Sequence, residues 1–279
     1  MTRIAVIGGG RIGEALISGL LKSGRAARDL VIAESFPARA EELSERFGIR
    51  VTTVADACEG ADVVVIAVKP GDVDGVVAEL AAVDLDGDRE QLLVTLAAGL
   101  PTTRYENKLP AGFPVVRVMP NTPMLVGEGV SAIAAGRFAK AEHLETVHEL
   151  LGAVGKVVTV TESQLDAVTA VSGSGPAYFF LVAEAMIDAG VSLGLARTTA
   201  ADLVVQTMIG SAAMLAESGE SATELRAAVT SPGGTTAAAV RELERGGLRT
   251  AFYDALSAAK ARSATMGAPA EKTLGISAE

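Results

Sequence analysis

The chain has 279 residues, 49% of them apolar and 21% charged, which excludes a disordered chain and leaves room for two domains of ordinary size. A net charge of −10 repels phosphate backbones, so a nucleic-acid partner is not expected. The single cysteine, Cys58, excludes an intrachain disulfide; His143 and His148 stand five apart, off a common helical face, and read as solvated helix residues, so no metal site is expected.

The first apolar run, residues 4–7, is far shorter than the core of a signal peptide, and no uninterrupted apolar run approaches the ~20 residues of a membrane span. The cytoplasm is therefore the expected compartment, with no membrane partner. In chain order, residues 3–8, 30–34, 62–68, 92–96, 115–119, 130–134 and 156–160 read as strands, the early ones apolar almost throughout, as parallel strands covered on both faces are. Helical patterns fall between them at residues 12–23, 38–47, 73–82 and 141–154. Strand and helix in alternation predict an open, doubly wound parallel sheet over residues 1–160.

After Val160 the strand signal stops. Thr161 and Gln164 are spaced as a capping box, and helices are expected over residues 163–170, 176–189, 198–218, 223–229, 236–245 and 249–266, with a loose tail from Gly267. Residues 161–279 thus form an all-helical second domain. Two of its helices, around Tyr178–Val182 and Leu203–Ile209, are apolar over most of their circumference, which calls for burial against a second subunit.

Gly8-Gly9-Gly10-Arg11-Ile12-Gly13 contains the spacing G-x-G-x-x-G directly between the first strand and the first helix. Gly8 permits a tight turn, Gly10 lets backbone approach a pyrophosphate, and Gly13 lets the helix pack closely on the strand. The amides of Arg11 and Ile12 lie at the positive end of the helix dipole, where an anion is stabilised. With Glu34 about 20 residues further on, at the end of the second strand, this is the fingerprint of a dinucleotide-binding Rossmann unit. Glu34 is expected to accept from ribose hydroxyls and to oppose an added phosphate, with a solvated strand end as the bland alternative; Ser35 and Arg39 offer a route to accommodating that phosphate. Loops at the carboxyl ends of later strands should line the same crevice: Val68-Lys69-Pro70, Ala97-Ala98-Gly99 and Pro120-Asn121-Thr122-Pro123. Lys69 reads equally as a cofactor contact or a solvated side chain, whereas Asn121, between two prolines, is a candidate fixed amide near a nicotinamide.

Two polar, glycine-rich stretches interrupt the helical domain: Ser172-Gly173-Ser174-Gly175-Pro176 and Thr230-Ser231-Pro232-Gly233-Gly234-Thr235-Thr236. Each reads as a loop opening a helix and so as a set of amides able to hold a carboxylate, or simply as an interhelical turn. These stretches, with Ala67-Val68-Lys69-Pro70 and Met119-Pro120-Asn121-Thr122-Pro123, make nearly the whole chain resemble the pyrroline-5-carboxylate reductases; Val229 through Thr236, with Leu225 before and Leu243-Glu244 after, carries the most specific part of the likeness. The resemblance implies a cyclic imino acid, 1-pyrroline-5-carboxylate, reduced by NADH or NADPH to L-proline. It implies that the amides of Gly234, Thr235 and Thr236, with Ser231 in the same loop, hold the substrate carboxylate, that Glu162 lies near the substrate, and that the helical domain interlocks two subunits, in some relatives into larger rings. At Ala228 the chain departs from relatives that carry a polar residue touching the cofactor.

Thr236, just past the two glycines, is the side chain expected at the reacting nitrogen, as a hydrogen-bonding and polarising group; its alternative role is a helix cap. A hydroxy-acid dehydrogenase of the same two-domain plan needs a base for the alcohol proton. The helical domain holds no histidine, and its only lysines, Lys260 and Lys272, come late. An imine protonated from water needs no such base, so the residues favour imine reduction. A non-catalytic dinucleotide sensor would leave the two glycine-rich stretches unexplained.

Overall fold

A computed structural model describes residues 2–83 and 91–266; the tail from Gly267, and Lys272 with it, lies outside the described residues. The described chain divides into two compact units, one of residues up to Ser174 together with the chain from Ala259, the other Gly175–Ala258.

The first unit is built on an eight-stranded sheet: β1 (Ile4–Ile7), β2 (Leu30–Ala33), β3 (Arg50–Thr52), β4 (Val63–Ile66), β5 (Leu92–Thr95), β6 (Val115–Met119), β7 (Gly129–Ala135) and β8 (Gly155–Thr159). Their spatial order is β3-β2-β1-β4-β5-β6-β7-β8, parallel throughout except between β6 and β7. Every expected strand forms. The sequence reading missed β3 and the reversal at β7, because a three-residue run and a strand's direction leave no periodic signal.

Helices cover both faces: α1 (Arg11–Lys22), α2 (Pro37–Phe47) and α6 (Ala141–Gly152) on one side, α3 (Val54–Cys58), α4 (Val73–Ala82) and α5 (Thr102–Glu106) on the other. Strand alternation sorts the core. Ile4, Val6, Ile32, Val65 and Val94 join Leu16, Leu20 and Leu151 on the first face, while Ala5, Ile7, Val64, Ile66 and Leu93 join Val77, Leu80 and Tyr105 on the second. Both faces of the central strands are dry, which is why these runs carry no polar alternation.

His143 is a correction to the sequence reading. It is buried, and its Nδ1 accepts from the Lys140 amide at 2.9 Å, closing the start of α6. His148, half-buried, meets Thr159 Oγ1 at 2.9 Å. Both histidines serve α6 locally.

The expected change of texture after Val160 is present, and Gln164 Oε1 accepts from the Thr161 amide at 2.9 Å as the capping box requires. Residues 162–174 nonetheless belong to the sheet-bearing unit, because Leu165 and Ala170 bury themselves against Ala132 and Ala134 of β7 or nearby. The helical texture therefore starts about a dozen residues before the compact unit ends. A second correction concerns Ser172-Gly173-Ser174. After α7 (Leu165–Val168) the chain winds through a π-helical turn, Thr169–Gly173, and the Ser174 amide donates to the Thr169 carbonyl at 2.8 Å. This stretch is a bulge in a nearly continuous helix, so it is not an open loop of free amides.

The second unit holds α8 (Gly175–Ser192), α9 (Arg197–Glu217), α10 (Ala222–Ala228), α11 (Thr235–Arg245) and the first half of α12 (Leu248–Met266). Tyr178 of α8 meets Phe252 of α12 edge-on, ring centroids 6.5 Å apart. Phe179, Phe180 and Leu181 of α8 and Leu203, Val205 and Ile209 of α9 are all at least half exposed in the single chain. Glu162–Ser192 and Arg197–Glu217 are also long and apolar enough to cross a membrane, which the search for uninterrupted apolar runs overlooked because each tolerates isolated polar residues. Apolar surface of this extent calls for a covering partner.

Candidate active site

The dinucleotide crevice lies where strand order reverses, between β1 and β4, at their carboxyl ends. Gly8 leaves β1 with φ +107°, and a Cβ there would stand 2.9 Å from Val68 Cγ1 and 3.0 Å from the Ala67 carbonyl oxygen. At Gly13 a Cβ would fall 2.1 Å from the Gly8 carbonyl oxygen, so the first turn of α1 can lie on the loop only without one. Gly10 differs from both: a Cβ there would meet nothing within 4 Å. What glycine provides at that position is open space over the helix start, the shape a pyrophosphate needs. Gly10 is also the N-cap, without a side-chain capping bond, so the amides of Arg11, Ile12 and Gly13 point out of the helix without carbonyl partners. Arg11 is exposed beside them. The residues present fit a nicotinamide dinucleotide.

Glu34 is held in place by backbone. Its Oε2 accepts from the Gly9 amide at 2.8 Å and its Oε1 from the Phe36 amide at 2.9 Å. Each oxygen retains a further acceptor position for a ribose hydroxyl. Arg39 grips the same loop: Nε donates to the Gly9 carbonyl at 2.9 Å, and the guanidinium pairs with Glu14 and Glu42, Glu14 also taking Arg46. Hydrogen bonds from Glu42 and then Glu14 raise the Arg39 pKa above its ordinary value. Arg39 is thus committed to the glycine loop and to two carboxylates, and the exposed Ser35 is left as the neighbouring polar side chain. The sequence reading passed over Gly9, where a Cβ would stand 2.4 Å from Leu43 Cδ1 and 2.9 Å from Glu34 Oε2. Three consecutive glycines were the available signal, since the fingerprint accounts for only two of them.

Val68, Lys69 and Pro70 follow β4, with Lys69 exposed, and Ala97, Ala98 and Gly99 follow β5, Gly99 at φ +79°. Asn121 has a structural task as well: Oδ1 accepts from the Val130 amide at 2.9 Å and Nδ2 donates to the Ser172 carbonyl at 3.2 Å, tying the end of β6 to the start of β7 and to the π-helical turn.

Glu162 is engaged on both oxygens. Oε1 accepts from the Thr102 amide at 2.6 Å, Oε2 from Thr102 Oγ1 at 2.9 Å, and Arg117 Nη1 stands 3.5 Å from Oε1. Arg117 and Thr102 were not singled out in the sequence, though a signal existed: an arginine amid Val115-Val116-Arg117-Val118 must find a counter-charge if that strand is central.

In the second unit the turn between α10 and α11 matches the expected loop. Gly233 sits at φ +72°, and the Gly234 amide donates to the Ser231 carbonyl at 3.0 Å. Gly234 therefore does not offer its amide as the resemblance implied; it spends it on closing the turn. As N-cap of α11, with no side chain, Gly234 leaves the amides of Thr235, Thr236 and Ala237 without helical acceptors. Thr236 is the second helical residue, half-buried, and is not the cap. Among the described residues no group of three or more potential metal ligands gathers.

Residues 162–266 match the family model described as pyrroline-5-carboxylate reductase dimerisation, and residues 3–99 match that of coenzyme F420-dependent NADP oxidoreductases. A pyrroline-5-carboxylate reductase of Mycobacterium tuberculosis is 57% identical, over 94% of this chain and 96% of its own. The solved reductase from Coxiella burnetii superposes with a TM-score of 0.91 at 36% identity, covering 96% of this chain and 99% of that one. The Plasmodium falciparum pyrroline carboxylate reductase, solved with NADP bound, gives 0.83 at 28% identity, covering 96% and 98%. With a full-length relative of this identity, the chain belongs to the pyrroline-5-carboxylate reductase family.

Proposed function

We propose that the chain reduces 1-pyrroline-5-carboxylate to L-proline with NADH or NADPH. The observation that carries this reading is the likeness to reductases of that name along the whole chain, and the geometry of both units supports it. The bound dinucleotide supplies a hydride to the imine carbon. The chain's own tasks are binding, orientation and polarisation. Arg11, Ile12 and Gly13 present amides to the pyrophosphate over the space at Gly10, and Glu34 accepts from the ribose. Thr235 and Thr236 present helix-start amides to the substrate carboxylate, with the Ser231 turn shaping the loop, and the Thr236 hydroxyl bonds the ring nitrogen. The imine enters protonated from water, so reduction closes the C=N bond to an amine without a protein base. Loss of NADPH absorbance on adding the imino acid, with proline formed in equal amount, tests the reading; turnover of a 2-hydroxy acid at comparable kcat/KM overturns it.

Glu34 sets the cofactor preference in this scheme. Its carboxylate opposes a 2′-phosphate, and Arg39 is already neutralised by Glu14 and Glu42. Glu34→Ser is expected to move the NADPH/NADH ratio of kcat/KM upward by about tenfold, the size of one relieved like-charge contact. An unchanged ratio removes Glu34 from the ribose.

The exposed apolar faces of α8 and α9 are covered by a second copy, making a cytoplasmic homodimer, and not by lipid. At about 25 cal/mol per Å2 of apolar surface, leaving these faces in water is prohibitive. Sedimentation is expected to find a dimer, or the larger ring of dimers the family resemblance implies, in detergent-free buffer. A stable, active monomer counts against this assembly, and recovery only with membranes counts against the compartment.

A further inference from the structure

The segment between β5 and α5 holds Ala97, Ala98 and Gly99, and it is fastened at both ends by polar groups the nucleotide fingerprint does not include. At its start, Thr95 Oγ1 accepts from the Ala97 amide at 3.3 Å and lies 2.6 Å from Tyr105 Oη, and both side chains are fully buried. At its end, Thr102, 2% exposed, gives its amide and its hydroxyl to the two oxygens of Glu162. Arg117, in the middle of β6 and 7% exposed, supplies the compensating charge.

We propose that Glu162 is a positioning residue for the dinucleotide: it sets the Ala97–Gly99 loop through Thr102 and does not touch the substrate. The inference rests on the reading of the first unit as a nicotinamide dinucleotide site. A carboxylate that receives two bonds from one residue fixes both the position and the rotation of that residue. Thr102 stands three residues from Gly99, so a shift of the clamp moves the loop that follows β5 into the crevice. Arg117 makes the arrangement depend on charge, because a neutral side chain at 162 leaves a nearly buried guanidinium without its partner. The carboxylate's two strong bonds are already made to Thr102, which leaves a poor site for a substrate amine or acid.

The test separates nucleotide binding from substrate binding. NADPH affinity is measured by titration without substrate, and the KM for the imino acid is measured at saturating NADPH. Glu162→Gln keeps the side-chain shape and removes the charge; Thr102→Val removes only the hydroxyl bond. Each is expected to weaken NADPH about tenfold, as loss of a charge-assisted bond would. The double variant should be little worse than Glu162→Gln alone, because the two residues form one clamp. The KM for the imino acid is expected to stay within about twofold, and Thr102→Ser to restore wild-type NADPH affinity. A raised imino-acid KM with unchanged NADPH affinity places Glu162 on the substrate and overturns the proposal. So do variants that only melt earlier with both affinities intact. A wild-type chain that binds no dinucleotide overturns the underlying reading as well, a result distinct from either.

Discussion

Thr236→Ala is expected to lower kcat/KM for 1-pyrroline-5-carboxylate by about 10- to 1000-fold, the range for losing one transition-state hydrogen bond, with little change in melting temperature. The separation of the two effects comes from the position of Thr236 in α11. The helix begins at Thr235, and its N-cap is Gly234, which has no side chain to donate or accept. Thr236 is therefore not the capping residue, and its removal should not carry the ~1 kcal/mol that loss of a cap costs. Its hydroxyl is too weak an acid at neutral pH to drive proton transfer, so its contribution is to orient the ring and polarise the C=N bond. Thr236→Ser, which keeps the hydroxyl, should recover most of the activity. Normal kinetics in a Thr236→Ala variant that melts earlier would falsify the assignment and return Thr236 to a purely structural role.

A pair of glycine substitutions should give the largest contrast in the first unit. Gly13→Ala places a Cβ 2.1 Å from the Gly8 carbonyl oxygen, a backbone atom that can yield only if α1 lifts off the loop. That strain is expected to cost several kcal/mol, about the upper end of overpacking, and to show as a large fall in melting temperature together with loss of dinucleotide binding. Gly10→Ala places its Cβ in open space and so should fold and melt as the parent does. Its methyl group instead occupies the volume over the amides of Arg11 and Ile12, so NADPH affinity should fall by about tenfold or more. Calorimetric melting and NADPH titration of both variants check this. Unimpaired NADPH binding by Gly10→Ala would mean that the pyrophosphate does not cross the helix start there.

Much of the fold and part of the site were legible in local patterns. Val63–Ile66 and Leu92–Thr95 announce buried parallel strands because neither face of either strand meets water. The three fingerprint glycines announce a nucleotide loop because each removes a specific steric conflict. The turn before α11 is legible for the same reason, two glycines followed by helix-forming residues. Other features have no local signature. Arg39 and Glu14 lie 25 residues apart in sequence, so nothing in either neighbourhood shows that the arginine expected to welcome a phosphate is already taken. Ser172-Gly173-Ser174 has the composition of a loop, yet packing of Ala170 beneath the sheet and the 2.8 Å bond from Ser174 to Thr169 keep it helical. His143 looks like a surface histidine until Lys140 turns its amide onto the ring.

By itself, the sequence determined the alternation of strand and helix, the nucleotide loop, the change to an all-helical second half and the need of that half for a partner. These depend on hydrophobic period, on glycine sterics and on the balance of apolar surface, which are properties of neighbouring residues or of the chain as a whole. The tertiary structure decided which polar groups meet. It reversed β7, spent the Gly234 amide on its own turn, committed Arg39 to Glu14 and Glu42, and brought Glu162 to Thr102 across 60 residues of chain. A buried or half-buried polar group must find a partner, but residue type restricts that partner only to an opposite charge or a complementary donor, and many positions qualify. Selecting one of them requires the strands to be in register and the helices to be packed, and that placement exists only in three dimensions.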